Sequence, residues 1–189
     1  MVVADHGDRD RRPHHRKVPI SDKHRSQSVE KGKVMWNDEH AELRRKNRAT
    51  VEKYMNTTGQ DRLRRHLLFT DDGVGGLWTN DTGKPIATSG KDRLAAHAVW
   101  SLECFPDWVW TNIQIFETQD PNFFWVECDG AGAIRFPGYP EGRYENHFLH
   151  SFELVDGLIK RQREFMNPFE QLRALGIPVP QVKREGIPT

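Results

Sequence analysis

The sequence predicts an α+β domain in which helices come first and long antiparallel strands follow. Three observations predict it. Residues 89–104 carry Leu94, Ala98 and Leu102 at helical spacing, and Pro106 ends the pattern. After Pro106, aromatic and apolar residues recur in four long strand-like segments separated by turn residues. Neither a βαβ alternation nor an internal repeat breaks that order, which is the order of a segregated α+β fold. At 189 residues the chain suits one domain with a core and is short for two.

Residues 1–35 hold no aromatic residue but nine Lys or Arg, five Asp or Glu and four His, a formal charge of +4 that leaves −3 for the remainder. So few apolar side chains cannot offset the entropy of ordering, so this segment reads as a disordered basic leader rather than a nucleic-acid-binding arm. It has no secretory h-region, and no run approaches the ~18 apolar residues of a membrane span. The expected location is therefore cytoplasmic, with neither nucleic acid nor membrane as partner. Cys104 and Cys128 sit among apolar neighbours and read as buried, inert thiols.

Residues 36–175 form the expected domain. Asn37-Asp38-Glu39 supplies a cap and early acids for a helix to Met55, and Asn56-Thr57-Thr58-Gly59 breaks it. Gln60 to Phe69 reads as a short second helix, Asp71-Asp72-Gly73 as a turn, and Val74 to Thr79 as a strand. Asn80-Asp81-Thr82-Gly83 is a hairpin-like turn into Pro85–Thr88. Ser89, with Asp92 three residues on, is the expected N-cap of the central helix. Strands are expected over Trp108–Glu117, Phe123–Phe136, Tyr144–Leu154 and Leu158–Asn167, with Gly130 and Gly132 marking bends. A short helix follows, Phe169–Leu175. Residues 176–189 read as an extended Pro-containing tail, suited to lie along a partner subunit. A bent sheet folded around helices encloses a cavity, and such cavities hold small molecules.

Arg93, His97 and Ser101 fall at i, i+4, i+8 on one face of the central helix, flanked by Ala96 and Trp100, with Leu94, Ala98 and Leu102 read as the opposite side. A histidine beside a hydroxyl on an apolar background can serve as a general acid/base, although a lone histidine is more often a satisfied structural group. Further titratable residues add weight. Glu145, His147 and Glu153 alternate along one strand face expected to meet the cavity, and Glu164 lies between Arg163 and Phe165. Burial of Glu164 would raise its pKa toward neutrality. Trp78, Trp100, Trp108, Trp110 and Trp125 supply an aromatic wall, and Arg65 is the arginine expected to turn inward toward a carboxylate. Gly73-Val74-Gly75-Gly76 is not a dinucleotide fingerprint, no metal-ligand spacing is present, and Ser101 lacks a nucleophile elbow. No metal is therefore expected.

Longer strings carry a more specific signal. They include Arg65-His66-Leu67-Leu68-Phe69-Thr70, Gly75-Gly76-Leu77-Trp78-Thr79, Ala96-His97-Ala98-Val99-Trp100-Ser101-Leu102 and Cys104-Phe105-Pro106-Asp107-Trp108. Others are Ile134 to Gly142, Tyr144 to Leu154, Arg163-Glu164-Phe165-Met166-Asn167, Leu172-Arg173-Ala174-Leu175 and Ile177-Pro178-Val179-Pro180-Gln181. Together they resemble the phenazine biosynthesis protein A/B family over about residues 36–189. The resemblance implies the cone-shaped fold of ketosteroid isomerase and nuclear transport factor 2, and a homodimer. It also implies a cofactor-free, metal-free condensation of two aminocyclohexenone carboxylic acid molecules into a reduced tricyclic phenazine precursor. It carries the acid/base histidine onto His97, a serine onto Ser101 and a glutamate onto Glu164, and puts Tyr144 and Arg65 against substrate polar groups. Trp100, beside His97, is expected to line the substrate. Two other readings stand beside this one: a non-catalytic binding or dimerisation module of the same fold, and a ketosteroid isomerase-like isomerase or dehydratase.

Overall fold

Six strands form one curved, unclosed sheet with the helices packed against it, as seen in a computed structural model describing residues 40–181, 183–186 and 188. The basic leader and the capping residue Asn37 lie outside the described residues. The elements are α1 (Ala41–Met55), a 3₁₀ helix (Gly59–Leu68), β1 (Phe69–Leu77), β2 (Ile86–Ser89) and α2 (Lys91–Cys104). They continue with β3 (Val109–Glu117), β4 (Phe123–Ile134), β5 (Gly142–Val155), β6 (Leu158–Met166) and α3 (Pro168–Ala174). The α+β order expected from the sequence is thus observed. Strand order is β2-β1-β6-β5-β4-β3, antiparallel except where β1 runs parallel to β6. Among the described residues no helix is long and apolar enough to cross a membrane.

The core lies between the helices and the concave face of the sheet. Phe124, Val126, Cys128 and Ile134 of β4 and Phe148 and Phe152 of β5 are all buried at even positions, as the period of two demands. α1 lays Val51 and Met55 into this core. It is pinned at the side by Asn47, which donates to Pro121 O and Asn122 Oδ1 (both 2.9 Å) and accepts from Gly157 N at 3.0 Å. One buried amide thereby ties the helix to two turns of the sheet, with both its protons and its oxygen engaged. α3 is capped by Asn167, whose Oδ1 accepts from Phe169 N at 3.1 Å, with Pro168 next to it.

Several local expectations change. The second helix is a 3₁₀ helix, ended by the strand conformation of Phe69. Asp71-Asp72-Gly73 makes no chain reversal: it lies within β1, where Phe69 pairs Ile159 and Val74 pairs Arg161, so the surplus residues form a bulge. Ser89 is the last residue of β2, not a cap. Gly90 takes the N-cap position at φ 89°, a backbone conformation that suits glycine, and no side chain caps α2. Glu145 and His147 face outward from β5, because that strand buries Tyr144 and Phe148 instead, and Glu153 shares their outer parity.

Gly130 makes room for the aromatic floor of the concave face. A Cβ there would stand 2.3 Å from Trp108 Cζ2, 2.6 Å from Trp110 Cζ3 and 2.9 Å from Phe148 Cε2. Gly130→Ala is expected to destabilise the fold by about 1–3 kcal/mol through overpacking. A lowered thermal midpoint together with an altered near-ultraviolet dichroism of the tryptophans is the expected readout. An unchanged midpoint would show that the floor yields freely.

Candidate active site

A cavity of about 390 Å³ opens between the concave sheet, the 3₁₀ helix and α2. Six residues singled out in the sequence, Arg65, His97, Trp100, Ser101, Tyr144 and Glu164, all line it. They come from four elements, which explains why no local motif announces the site.

α2 supplies His97, Trp100 and Ser101. A rotation of about 100° per residue places the 94/98 stripe beside the 97/101 stripe, so Leu94 and Ala98 line the same cavity and are not its far side. Arg93 turns to solvent instead. The ring of His97 lies at the rim beside Trp100, with centroids 5.4 Å apart. Desolvation lowers its pKa, and the nearby charge of Arg62 lowers it further, so the imidazole is neutral at pH 7.

The 3₁₀ helix supplies two guanidinium groups. Arg65 donates through Nε to Thr57 Oγ1 and through Nη2 to Thr57 O at 2.9 Å, and lies over the Tyr54 ring at 4.9 Å. Burial lowers its pKa. Arg62, unforeseen in the sequence, is more buried still, at 3% exposure. Its Nη2 donates to Ser101 O at 3.0 Å and Ser101 Oγ at 2.8 Å, and its Nη1 to Phe105 O. One side chain thus caps the end of α2 and fixes Ser101 Oγ as an acceptor. Arg62 is one helical turn back from Arg65 and lines the same cavity.

The sheet supplies the acidic side. Glu164 of β6 retains 28% of its side-chain surface, in a residue that lines the cavity. Burial raises its pKa to about 7 against the opposing pull of Arg65. Opposite it in register is His150 of β5, fully buried, with Nδ1 3.8 Å from Glu164 Oε2. Tyr144 accepts from Asn146 Nδ2 at 2.8 Å, and burial pushes its phenol pKa up. Trp108 and Trp110 form the floor, whereas Trp78 lies under Arg163 and Trp125 packs against Phe123 and Phe165, both outside the cavity. His150 and Gln162 also went unrecognised. The parity that places Tyr144 inward would have found His150, six residues on along β5.

A cavity joining a neutral imidazole, a carboxyl poised near neutrality, three hydroxyl-bearing residues (Tyr54, Ser101 and Tyr144) and two guanidiniums can move protons on a polar, anionic small molecule. Comparison with known proteins gives a consistent picture. The family model described as Phenazine biosynthesis protein A/B matches residues 28–189. Phenazine biosynthesis protein PhzB1 of Pseudomonas aeruginosa is 79% identical over 148 residues, 78% of this chain and 91% of that protein. Phenazine biosynthesis protein PhzA of Pseudomonas fluorescens is 65% identical over 151 residues, 80% of this chain and 93% of its own. The crystal structure of a phenazine biosynthesis-related protein from Pseudomonas aeruginosa superposes with a TM-score of 0.80 at 75% identity, covering 82% of this chain and 95% of that one. A protein of Catenulispora acidiphila with a ketosteroid isomerase-like fold superposes at 0.53 and 13% identity over 68% of this chain and 93% of its own, a likeness of fold alone.

The raised pKa of Glu164 has a stability consequence. The folded protein holds this proton up to about pH 7, while the unfolded chain releases it near 4.5. Stability from this group is therefore complete below 4.5 and lost as pH rises through 7, by about 3 kcal/mol in all. Glu164→Gln removes that slope. Thermal melts are expected to place the variant well above the parent at pH 8 and close to it at pH 4.5; a pH-independent gap would contradict the assignment.

Proposed function

The chain belongs to the phenazine biosynthesis protein A/B family, and on that premise we propose that it condenses two molecules of 6-amino-5-oxocyclohex-2-ene-1-carboxylic acid into the tricyclic hexahydrophenazine dicarboxylic acid precursor. The observation that carries this reading is a carboxyl poised at about pH 7, Glu164, in one cavity with a neutral His97. Each amine attacks the ketone of the other molecule, forming a C–N bond and a carbinolamine. A proton delivered to the carbinolamine oxygen lets water leave, and removal of the nitrogen proton leaves the imine. Two such steps join the rings and release two waters.

Glu164 and His97 act as the acid and base of these steps, each worth about 10²–10⁴ in rate. A carboxyl titrating near 7 is present in both forms at neutral pH, so it can give a proton in one half of the cycle and take one in the other. Ser101 Oγ accepts from Arg62, so its own proton remains to be given to substrate oxygen. The Tyr144 hydroxyl is in the same position, accepting from Asn146. Arg65 is held through Nε and Nη2, leaving Nη1 for a substrate carboxylate. Trp100 and the tryptophan floor hold the two rings face to face, an orientation effect that converts a bimolecular encounter into a local one.

Imine formation expels only water and transfers no electrons, so the proposed reaction calls for no redox cofactor. The enzyme is proposed to work as a cytoplasmic homodimer. A ketosteroid isomerase-type reaction is less well supported, because no aspartate is among the described residues lining the cavity.

Glu164→Gln and His97→Ala are each expected to slow tricycle formation by about 100-fold or more while keeping the folded dichroism spectrum. Turnover at the parent rate in both variants would refute the acid/base assignment, and would favour a binding module. Arg65→Met is expected to raise KM more than it lowers kcat, measured by steady-state kinetics on the same aminoketone.

A further inference from the structure

Behind Glu164 lies a chain of three polar groups with only one consistent arrangement of protons. Gly76 N donates to Gln162 Oε1 at 3.2 Å, and Gln162 Nε2 lies 3.1 Å from His150 Nδ1. A backbone N–H can only donate, so it fixes which end of the Gln162 amide is oxygen. The other end, Nε2, can only donate in turn. His150 Nδ1 must then accept, and the ring proton sits on Nε2. A second proton on Nδ1 would set N–H against N–H and break the bond.

The surroundings reinforce this. His150 is 0% exposed and Gln162 3%. Phe148 and Phe152 stack on the imidazole at centroid distances of 6.0 and 6.2 Å, and Trp110 meets it edge-on at 5.0 Å. An imidazolium there would have no water to hydrate it. Burial pushes the His150 pKa down to about 3, and the Arg65 charge adds to that.

The other ionisable groups that bear on Glu164 are few. Arg65 on the 3₁₀ helix is a fixed cation that favours the carboxylate, and Arg62 and His66 of the same helix line the cavity with it. Tyr54 on α1, Tyr144 on β5 and Cys128 on β4 all have raised pKa values from burial, and so stay neutral at pH 7. His97 on α2 lines the same cavity. β1 contributes only glycines and Leu77 along its register with β6 near Glu164. His150, 3.8 Å away, is thus the closest group on the sheet able to gain a charge against the carboxyl.

We propose that Gln162 and His150 are positioning residues for Glu164: Gln162 locks the buried, neutral His150 as the Nε2–H tautomer, so that Nδ1 turns no N–H toward the carboxyl and Glu164 remains able to carry a proton and give it up. The functional half of this statement rests on the reading of Glu164 as the acid/base group of the condensation. Were the ring proton on Nδ1, it would be offered toward Glu164 Oε2, 3.8 Å away, and would favour the carboxylate over the proton donor.

The test is a titration of the full chain without substrate, following ¹³C-labelled glutamate carboxyls, with Glu164→Gln to assign the resonance, and ¹⁵N-labelled histidines. In the parent, His150 is expected to keep the Nε2–H pattern down to pH 5 and Glu164 to titrate near 7. Gln162→Met removes the donor to Nδ1, so the ring proton is free to occupy Nδ1 and be offered to Glu164, and the Glu164 midpoint is expected to fall by about 1 or more. In Gln162→Met/His150→Phe, whose new ring joins the aromatic stack without a charge, the midpoint is expected to return toward the parent value. A proton on His150 Nδ1 in the parent, or an unmoved midpoint in folded Gln162→Met, would overturn the proposal. Should Gln162→Met fail to fold, His150→Phe alone decides: a midpoint staying at or above the parent value supports the lock, and a fall refutes it. Because no turnover is measured, failure of the condensation reading leaves these outcomes intact. Conversely, a parent Glu164 titrating near 4.5 would remove the acid/base reading itself.

Discussion

The site depends on one carboxyl largely shielded from water without a full counter-charge. Glu164 is shielded on the concave face of the sheet, and Arg65 pulls its pKa down less than burial drives it up. Were Arg65 free to close on it, the pair would settle as an ion pair and the proton would be lost. Thr57 prevents that by engaging two nitrogens of the guanidinium, and the Tyr54 ring lies beneath it. The balance that leaves Glu164 near neutrality is thus set by groups that belong to the scaffold.

The same logic organises the opposite wall. Arg62 ties the 3₁₀ helix to the end of α2 through two carbonyls and a hydroxyl. Its charge helps keep His97 neutral, which is the form a base needs. A cation that shapes the helix end, orients Ser101 and depresses a histidine couples fold to chemistry directly. Replacing it would disturb all three together. The sheet contributes rigidity: β5 pairs with β6 from Phe148 to Val155, fixing His150, Gln162 and Glu164 relative to one another, and the pairing of β5 with β4 holds Tyr144.

Much of this was legible in the sequence where a strong local signal coincides with the tertiary outcome. Pro106 ended α2, alternation located the strands after it, and Glu164, just ahead of Phe165 and Met166, announced a shielded carboxyl. Arg65, His97, Ser101 and Tyr144, each singled out in the sequence, all line the cavity. What was not legible depends on partners far along the chain. Asp71-Asp72-Gly73 has the composition of a turn, yet pairing with β6 absorbs it as a bulge, with Asp72 reaching Lys160 outside. The face of β5 was misjudged because Glu145, His147 and Glu153 look like functional residues. They in fact satisfy an outer surface on which His147 bonds Asp129 at 2.8 Å and Glu153 bonds Arg163. Arg62 and His150 have no local signature, since their roles arise from Ser101 and Gln162, 39 and 12 residues away.

The central claim is that one carboxyl titrating near neutrality drives proton transfer in the condensation. The pH dependence of kcat/KM for tricycle formation, compared between the parent and Glu164→Gln, tests it most directly. The parent is expected to show a limb with an apparent pKa near 7, absent from the residual activity of the variant. A variant that keeps the same limb would assign it to another group and contradict the account.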